Sequence, residues 1–176
     1  MAETKPKDPM SAIEALQTRS SSPRLTEPGP SPESLTYICK SALRAADHGL
    51  IRPWRFLIIE ADSRMKLGEL FLKASLAKTP NLEPQQKEKI KTKALRAPTI
   101  IVAITSPQSH PKVPDIEQEY STAAAVQNMS LAAYALGVGS VWRTGAFAYD
   151  EVVHQGLGLE KNEKIIGFLY IGTRSG

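Results

Sequence analysis

Several arginines stand beside hydroxyl or glycine residues where predicted helices and strands end. Arg19 and Arg24 enclose three serines in TRSSSPRL, Arg44 precedes the RPW turn, and Arg143 lies in SVWRTG. Guanidinium groups, hydroxyls and backbone N–H groups are the donors that bind a phosphate. Each arginine also has a purely structural interpretation, because arginines often cap helix C-termini or lie along a surface. Together they favour an anionic ligand.

The standard signatures of other chemistries are missing from the sequence. Asp47 and His48 are adjacent, and adjacent residues on a helix do not face each other. The nucleophile elbow GxSxG and the phosphate loop GxxxxGK are absent. His110 and His154 have no partner at metal-ligand spacing, and Cys39 falls on the apolar face of a predicted helix. We therefore expect no metal site and no activated nucleophile.

Composition and charge are those of one folded domain. The chain has 176 residues, 41% of them hydrophobic, and 22 Lys and Arg against 18 Asp and Glu give a net charge of +4. The segment QKEKIKTKALR (86–96) carries this surplus, but its alternating lysines face both sides of a helix and no aromatic residues interleave. We expect a solvated helix there and no nucleic-acid binding. Because MAETKPKDPM contains no apolar run, we also expect no secretory signal and a cytoplasmic location.

Helix-start signals and apolar spacing predict the elements that carry the first arginines. Asp8 and Pro9 predict the start of a first helix with Met10, Ile13 and Leu16 on one face. Ser31-Pro32 opens a second helix, which would carry Arg44. Its apolar positions follow helical spacing: Leu35, Ile38, Cys39, Ala42, Leu43 and Ala46.

Strands and helices alternate through the rest of the chain. β-branched runs predict strands at 54–60, 99–105, 140–144 and 164–173, the first of them buried. Helices are predicted at 63–78, 86–96, 118–137 and 150–157. The loop at 106–117, between the strand at 99–105 and the helix at 118–137, contains three prolines. A loop of this length is often functional. This order predicts a three-layer α/β or α+β domain.

The alanine-rich helix at 118–137 has two further implications. Gln127, Asn128 and Ser130 at its centre argue against a membrane span. Its small side chains permit close helix contacts: Ala123, Ala124, Ala125, Ala132 and Ala133. One domain of this size has little reason to bury so wide a face alone, so we expect a two-fold partner.

Six collinear segments make the sequence resemble the FMN-dependent nitroreductase family, most closely the short single-domain NAD(P)H nitroreductases of bacteria. The segments are TRSSSPRLTEPGPS (18–31), ALRAADHGLIRPWRFLIIE (42–60), RAP (96–98), HPKVPDIEQEYSTAAAVQNM (110–129), GVGSVWRTGAF (137–147) and KIIGFLYIGT (164–173). The resemblance implies an α+β fold with helices on both faces of a mostly antiparallel central sheet. It also implies one FMN-binding domain over 1–176, with residues 1–8 flexible. We expect the C-terminal tail of the relatives to be absent, because the sequence ends at Gly176.

The resemblance further assigns residues to an FMN site at a homodimer interface. Arg19, Ser20 and Ser21 would hold the phosphate and the ribityl chain. Arg44 and His48 would reach the FMN of the other subunit. Trp142, Arg143 and Thr144 would complete the site. No protein side chain would act as a catalytic acid or nucleophile, because the cofactor carries the chemistry.

The implied reaction is a ping-pong hydride transfer. NAD(P)H would reduce the flavin and leave, and a nitroaromatic compound, a quinone or a similar small electron-poor acceptor would then be reduced. Arg52 and Lys112 are candidates for steering anionic nucleotides. A non-catalytic protein that binds or sequesters FMN is the alternative function.

Overall fold

The computed structural model describes residues 10–175. Within them, the α-helices are α1 (Ala12–Thr18), α2 (Pro32–Ala42), α3 (Asp62–Lys78), α4 (Pro84–Lys91), α5 (Asp115–Ala135) and α6 (Glu151–Gly156). The strands are β1 (Leu25–Thr26), β2 (Trp54–Glu60), β3 (Thr99–Thr105), β4 (Gly139–Arg143) and β5 (Lys164–Arg174). Short 3-10 turns cover His48–Leu50, Thr92–Leu95 and Ala146–Tyr149.

The strands form one sheet in which every pairing is antiparallel. β5 pairs with β3 along one edge, and with β4 and then β1 along the other. β2 pairs with the outer edge of β3. Arg143, the last residue of β4, therefore lies opposite Phe168 of β5. The predicted α+β fold with a mostly antiparallel sheet is confirmed.

Helices cover both faces of the sheet because the side chains of β3 alternate between two apolar cores. Ile100, Val102 and Ile104 face the core that includes α3 and α6. Ile101 and Ala103 face the core that includes α2 and α5. The three-layer arrangement follows from this alternation.

β2 and β3 begin and end where the sequence predicts. All seven residues of β3 are buried, as expected for a strand paired on both sides. The expectation that β2 is buried is wrong: most of its residues are half-buried, and Ile58 is exposed. β2 is an edge strand with one paired neighbour, so its outer side stays accessible.

The first helix is present in shortened form. α1 begins after Ser11, whose hydroxyl accepts a hydrogen bond from the helix N-terminus. The predicted cap at positions 8–9 and the flexible segment 1–8 lie outside the described residues. Ile13 and Leu16, expected on one apolar face, are both exposed to solvent.

α2 starts as predicted but is shorter than its apolar pattern. Ser31 accepts a 3.1 Å hydrogen bond from the N–H of Ser34 at the helix start. The helix ends at Ala42, and Leu43 and Ala46 lie beyond it and are exposed. The prediction that these two residues continue the apolar helical face is therefore wrong.

α5 begins three residues earlier than predicted, so the preceding loop covers 106–114. Ala125 and Ala133 are completely buried in the core under α2. These two alanines therefore pack within their own chain, contrary to the expectation that they face a partner. No helix among residues 10–175 is both long and apolar enough to cross a membrane.

Candidate functional site

A pocket of about 640 Å³ opens on the α3–α6 side of the sheet. Its walls are the C-terminal half of α3, the turn after α4, and the segment that follows β4. Phe168 and Tyr170 of β5 also line it. Phe71 of α3 stacks on Phe147 with ring centroids 4.2 Å apart, which gives the pocket an aromatic wall. This size and lining are typical of a small-molecule site.

The turn after β4 brings several backbone and side-chain groups to the pocket. β4 ends at Arg143, and Gly145 has a positive φ of 69°, which a residue with a Cβ rarely adopts. The chain then turns through Ala146–Tyr149 to Asp150, whose carboxylate caps α6. Thr144 lies exposed at this turn and lines the pocket.

The pocket carries more positive than negative charge. Lys78, Lys93, Arg96 and Arg143 line it, and Asp150 is the one acidic side chain of its lining. Lys78 neutralises Asp150 at 2.5 Å, and no carboxylate among residues 10–175 forms an ion pair with the other three cations.

The surroundings of Lys93 lower its pKa for two reasons. Desolvation lowers the pKa of Lys93, and repulsion from Arg96 and Lys89 lowers it further. The Lys93 ammonium lies 5.0 Å from the ring centroid of Phe147, in place of a carboxylate partner. Its charge is thus balanced by no acidic side chain of the described chain, and an anionic ligand would stabilise it.

Two polar atoms at the end of β4 are buried without a hydrogen-bond partner in the described chain: Trp142 Nε1 and Arg143 Nε. The indole edge packs closely against the backbone of β5 at Gly167. A Cβ atom added to Gly167 would lie only 2.0 Å from Trp142 Nε1. Buried unpaired donors are rare and call for a physical explanation. Arg143 lines the pocket, so an anion bound there would account for the unpaired Arg143 Nε.

Three of the eight predicted site residues line this pocket, namely Trp142, Arg143 and Thr144. Residues 19–21 lie in the loop after α1, at the opposite end of β4. The N–H of Ser22 donates a 2.8 Å hydrogen bond to the carbonyl of Ser140, which fixes that loop beside β4. The Nη1 atom of Arg19 lies 3.5 Å from the hydroxyl oxygen of Ser21. At about 3.3 Å per residue, roughly 10 Å of strand separates Ser140 from Arg143.

Arg44 and His48 are not brought to the pocket of their own chain. Both follow α2, which packs on the opposite face of the sheet. The prediction that Arg44 lies on the second helix is wrong, because α2 ends at Ala42. His48 Nδ1 lies 2.6 Å from Glu117 Oε2 at the start of α5.

The pocket residues that the sequence analysis did not assign to a site include Lys78, Lys93, Arg96 and Tyr170. Lys93 was expected on a solvated helix, yet α4 ends at Lys91 and the chain tightens into a 3-10 turn. That turn ends the alternating lysine pattern and directs Lys93 toward Phe147. A signal for this turn is the motif KALRAP, which leads directly into the buried strand β3.

Comparisons with known proteins agree on one family. The sequence pattern of the Nitroreductase family matches residues 15–173. The chain is 37% identical over 164 residues to the Escherichia coli (strain K12) protein named "Putative NAD(P)H nitroreductase YdjA", covering 93% of this chain and 88% of that protein.

Solved structures show the same fold. The nitroreductase-like family protein of Bacillus cereus superposes with a TM-score of 0.81 at 24% identity, covering 95% of this chain and 87% of that one. A nitroreductase of Bacteroides fragilis NCTC 9343, solved with bound FMN, superposes with a TM-score of 0.69 at 22% identity, covering 94% and 89%.

Proposed function

Because the chain belongs to the nitroreductase family, we propose that it is an FMN-dependent oxidoreductase that uses NAD(P)H to reduce nitroaromatic compounds, quinones or similar electron-poor acceptors. The observation that carries this proposal is the pocket at the end of β4. It combines an aromatic wall with three cations that have no acidic partner among the described residues. The Bacteroides fragilis neighbour binds FMN, and the name of the Escherichia coli relative includes NAD(P)H. Both support the proposal.

FMN fits the residues present. It has a planar ring system and a phosphate that carries close to two negative charges at neutral pH. The pocket offers aromatic side chains for the ring and the buried Arg143 Nε for an oxygen at the ring's edge, while Arg19 and its neighbouring serines would hold the phosphate at the other end of β4. When bound, FMN supplies the redox chemistry, accepting hydride from NAD(P)H and passing it to the acceptor.

The proposed roles of the chain's own residues follow its two groups of donors. Arg19, Ser20 and Ser21 hold the phosphate and the ribityl chain. Trp142, Arg143 and Thr144 hold the ring end of the cofactor. The separation of about 10 Å along β4 supports this division, because it suits a ligand whose phosphate and ring lie at opposite ends.

We also propose a homodimer in which Arg44 and His48 reach the FMN of the other subunit. Their position on the far side of the sheet from their own pocket supports this role. The same side exposes large apolar side chains from two helices, Tyr37 of α2 and Ile116 and Tyr120 of α5. Sedimentation of the FMN-loaded protein tests the proposal, and a species that stays monomeric at high concentration contradicts it.

Two measurements test the enzyme function. Titration of the apo protein with FMN should quench flavin fluorescence to saturation at micromolar concentrations. Steady-state oxidation of NADPH or NADH should then accelerate when a nitroaromatic acceptor or a quinone is added. Flavin binding without NAD(P)H oxidation would point to the non-catalytic FMN-binding alternative, and absence of flavin binding would contradict both functions.

A further inference from the structure

His48 and Glu117 form an imidazole–carboxylate pair that joins the turn after α2 to the first turn of α5. The Nδ1 atom of His48 and the Oε2 atom of Glu117 lie 2.6 Å apart, although 69 positions separate the two residues in the chain. Asp47, the acidic neighbour of His48 in the sequence, is occupied elsewhere, because its Oδ2 atom accepts a 2.6 Å hydrogen bond from the N–H of Arg52. Among residues 10–175, Glu117 is therefore the carboxylate that holds the His48 ring.

The turn that carries His48 has a strained backbone. Leu50 and Arg52 have φ values of 56° and 53°, which residues with a Cβ rarely adopt. The side chain of Gln108 donates a 3.2 Å hydrogen bond to the carbonyl of Ile51 and helps to hold this conformation. Such strain persists only where surrounding contacts impose it, and it is frequent at ligand-binding sites. The backbone beside His48 is thus held in place, and side-chain contacts set the orientation of its ring.

The chemistry of the pair determines which nitrogen of the neutral His48 ring carries the proton. An ionised carboxylate can only accept hydrogen bonds, so Nδ1 of His48 donates and Nε2 is left as an acceptor. The other two histidines have the opposite arrangement. Nδ1 of His110 accepts a hydrogen bond from the N–H of Lys112, so its proton lies on Nε2. Nε2 of His154 donates to the carbonyl of Ala148, so this proton also lies on Nε2.

The pair lies on the side of the sheet proposed to face the second subunit. Ile116 and Tyr120, two of the exposed apolar residues of that side, lie close to Glu117 along α5. The side chains of His48 and Glu117 are themselves 57% and 42% exposed. A pair this exposed adds little to the stability of the isolated chain. A covering partner would remove the competing water, and the pair would then orient the ring more firmly.

We propose that Glu117 is a positioning residue of the flavin site. It holds His48 through Nδ1, so that Nε2 accepts a hydrogen bond from a hydroxyl or N–H group of the flavin bound to the other subunit. This inference rests on the proposed function, because it specifies the contact that His48 makes there. The ribityl hydroxyls and the ring N–H of FMN are donors of this kind. The phosphate presents acceptor oxygens, so it is not the group that the neutral His48 ring contacts.

Flavin fluorescence titrations of the intact protein test this contact. Glu117→Ala should weaken FMN and riboflavin alike, by about fivefold, because the lost hydrogen bond involves a part that both flavins share. Glu117→Gln should keep both affinities within about twofold of the wild-type values, since its amide oxygen still accepts from Nδ1. Glu119→Ala removes a carboxylate of the same helix that pairs with Lys164, and as the matched control it should change neither affinity. Weakening of FMN alone, or unchanged affinities in Glu117→Ala, overturns the proposal.

A double-mutant cycle separates positioning from an independent effect of Glu117. His48→Ala should weaken both flavins about as much as Glu117→Ala does. Adding Glu117→Ala to His48→Ala should then change the affinities less than about twofold, because Glu117 acts only through the His48 ring. Additive losses would show that Glu117 acts without His48 and would overturn the proposal.

NMR of the isotope-labelled histidine rings tests the positioning without flavin. In mildly alkaline buffer, His48 should carry its proton on Nδ1, and His110 and His154 should carry theirs on Nε2; the His48 signal is the one missing from His48→Ala. Glu117→Ala should abolish the Nδ1 preference of His48, and Glu117→Gln should preserve it. A wild-type His48 with its proton on Nε2 overturns the proposal. Absence of flavin binding to the wild-type protein contradicts the proposed function, whereas the NMR comparison still decides whether Glu117 holds His48.

Discussion

The ammonium group of Lys78, the last residue of α3, lies 2.5 Å from the carboxylate of Asp150, which caps α6. The other Asp150 oxygen accepts the N–H groups of Val152 at 2.9 Å and Val153 at 3.4 Å. Burial raises the pKa of Asp150, but the hydrogen bonds from Lys78 and the two amides outweigh it, so the pKa lies below its ordinary value. One carboxylate thus joins two walls of the pocket.

Removing this carboxylate should cost more than removing its lysine. Asp150→Ala loses both the helix cap and the ion pair, and should lower the free energy of unfolding by about 2 kcal/mol. Lys78→Met should cost less than about 1 kcal/mol, because the Lys78 side chain is mostly exposed and Asp150 keeps its amide hydrogen bonds. Urea unfolding of both variants measures the difference. Equal losses would mean that the ion pair, not the cap, dominates.

A second prediction concerns acid stability. Arg55 donates from Nε and Nη2 to both oxygens of Glu163, at 2.7 and 2.6 Å. The Arg55 hydrogen bonds lower the pKa of Glu163 from 4.5 to about 2, against the effect of burial. The carboxylate is ionised more readily in the folded state, so its stabilising effect is present above pH 4.5 and is lost as the pH falls toward 2.

Glu163→Gln should therefore reduce the free energy of unfolding by roughly 2 to 3 kcal/mol at pH 7. The variant should also lose less stability than the wild-type protein as the pH is lowered from 5 toward 2. Denaturant unfolding at a series of pH values measures both effects. Parallel pH profiles for the two proteins would show that another group controls acid stability.

A third prediction concerns the contact between β4 and β5. Gly167→Ala should destabilise the protein by about 3 kcal/mol, because the new methyl group would overlap the Trp142 indole. Trp142→Ala makes room for that methyl group, so the double variant should lose less than the sum of the two single variants. A double-mutant cycle measured by thermal unfolding tests this coupling. Additive losses would contradict direct contact.

A fourth prediction concerns backbone strain between β2 and α3. Ala61 has φ 46° and ψ −130°, a region that only glycine adopts readily. Ala61→Gly should relieve strain and raise the free energy of unfolding by about 1 kcal/mol, despite the greater freedom of glycine in the unfolded chain. Ala61→Val places a branched side chain at the same φ and should destabilise the protein. Urea unfolding measures whether the free energy of unfolding rises in Ala61→Gly and falls in Ala61→Val.

The elements that sequence analysis predicts well are those whose own residues determine them. β3 is predicted from end to end because its β-branched run is buried on both faces. The end of α2 is predicted wrongly because Leu43 continues the apolar spacing, although it is 56% exposed. Periodicity shows that a residue is apolar, but whether that residue is covered depends on the elements that pack around it.

The candidate site likewise contains residues that the sequence predicts and residues that only the packing of distant elements brings together. In the segment Trp142–Thr144, the place of Arg143 at the end of a predicted strand indicates an anion donor, and the family resemblance implies all three site residues. Lys93 and Tyr170 were missed because they enter the pocket from a turn and a strand that become neighbours of β4 only in the folded protein. A lysine-rich segment has a simple interpretation as a solvated helix, and nothing local contradicts it for Lys93. Long-range packing supplies the missing information.

The fifth prediction tests the proposed phosphate site. Arg19→Ala should weaken FMN binding about tenfold to a hundredfold, because a charge-assisted hydrogen bond typically contributes about 1.5 to 3 kcal/mol. Riboflavin, which lacks the phosphate, should bind the variant and the wild-type protein alike. Lys161→Ala, at an exposed lysine outside both the pocket lining and the loop after α1, is the charge-matched control and should change neither affinity. Flavin fluorescence titrations measure all six affinities. Equal weakening of FMN and riboflavin by Arg19→Ala would make Arg19 a structural residue, because a phosphate contact cannot affect a ligand without a phosphate.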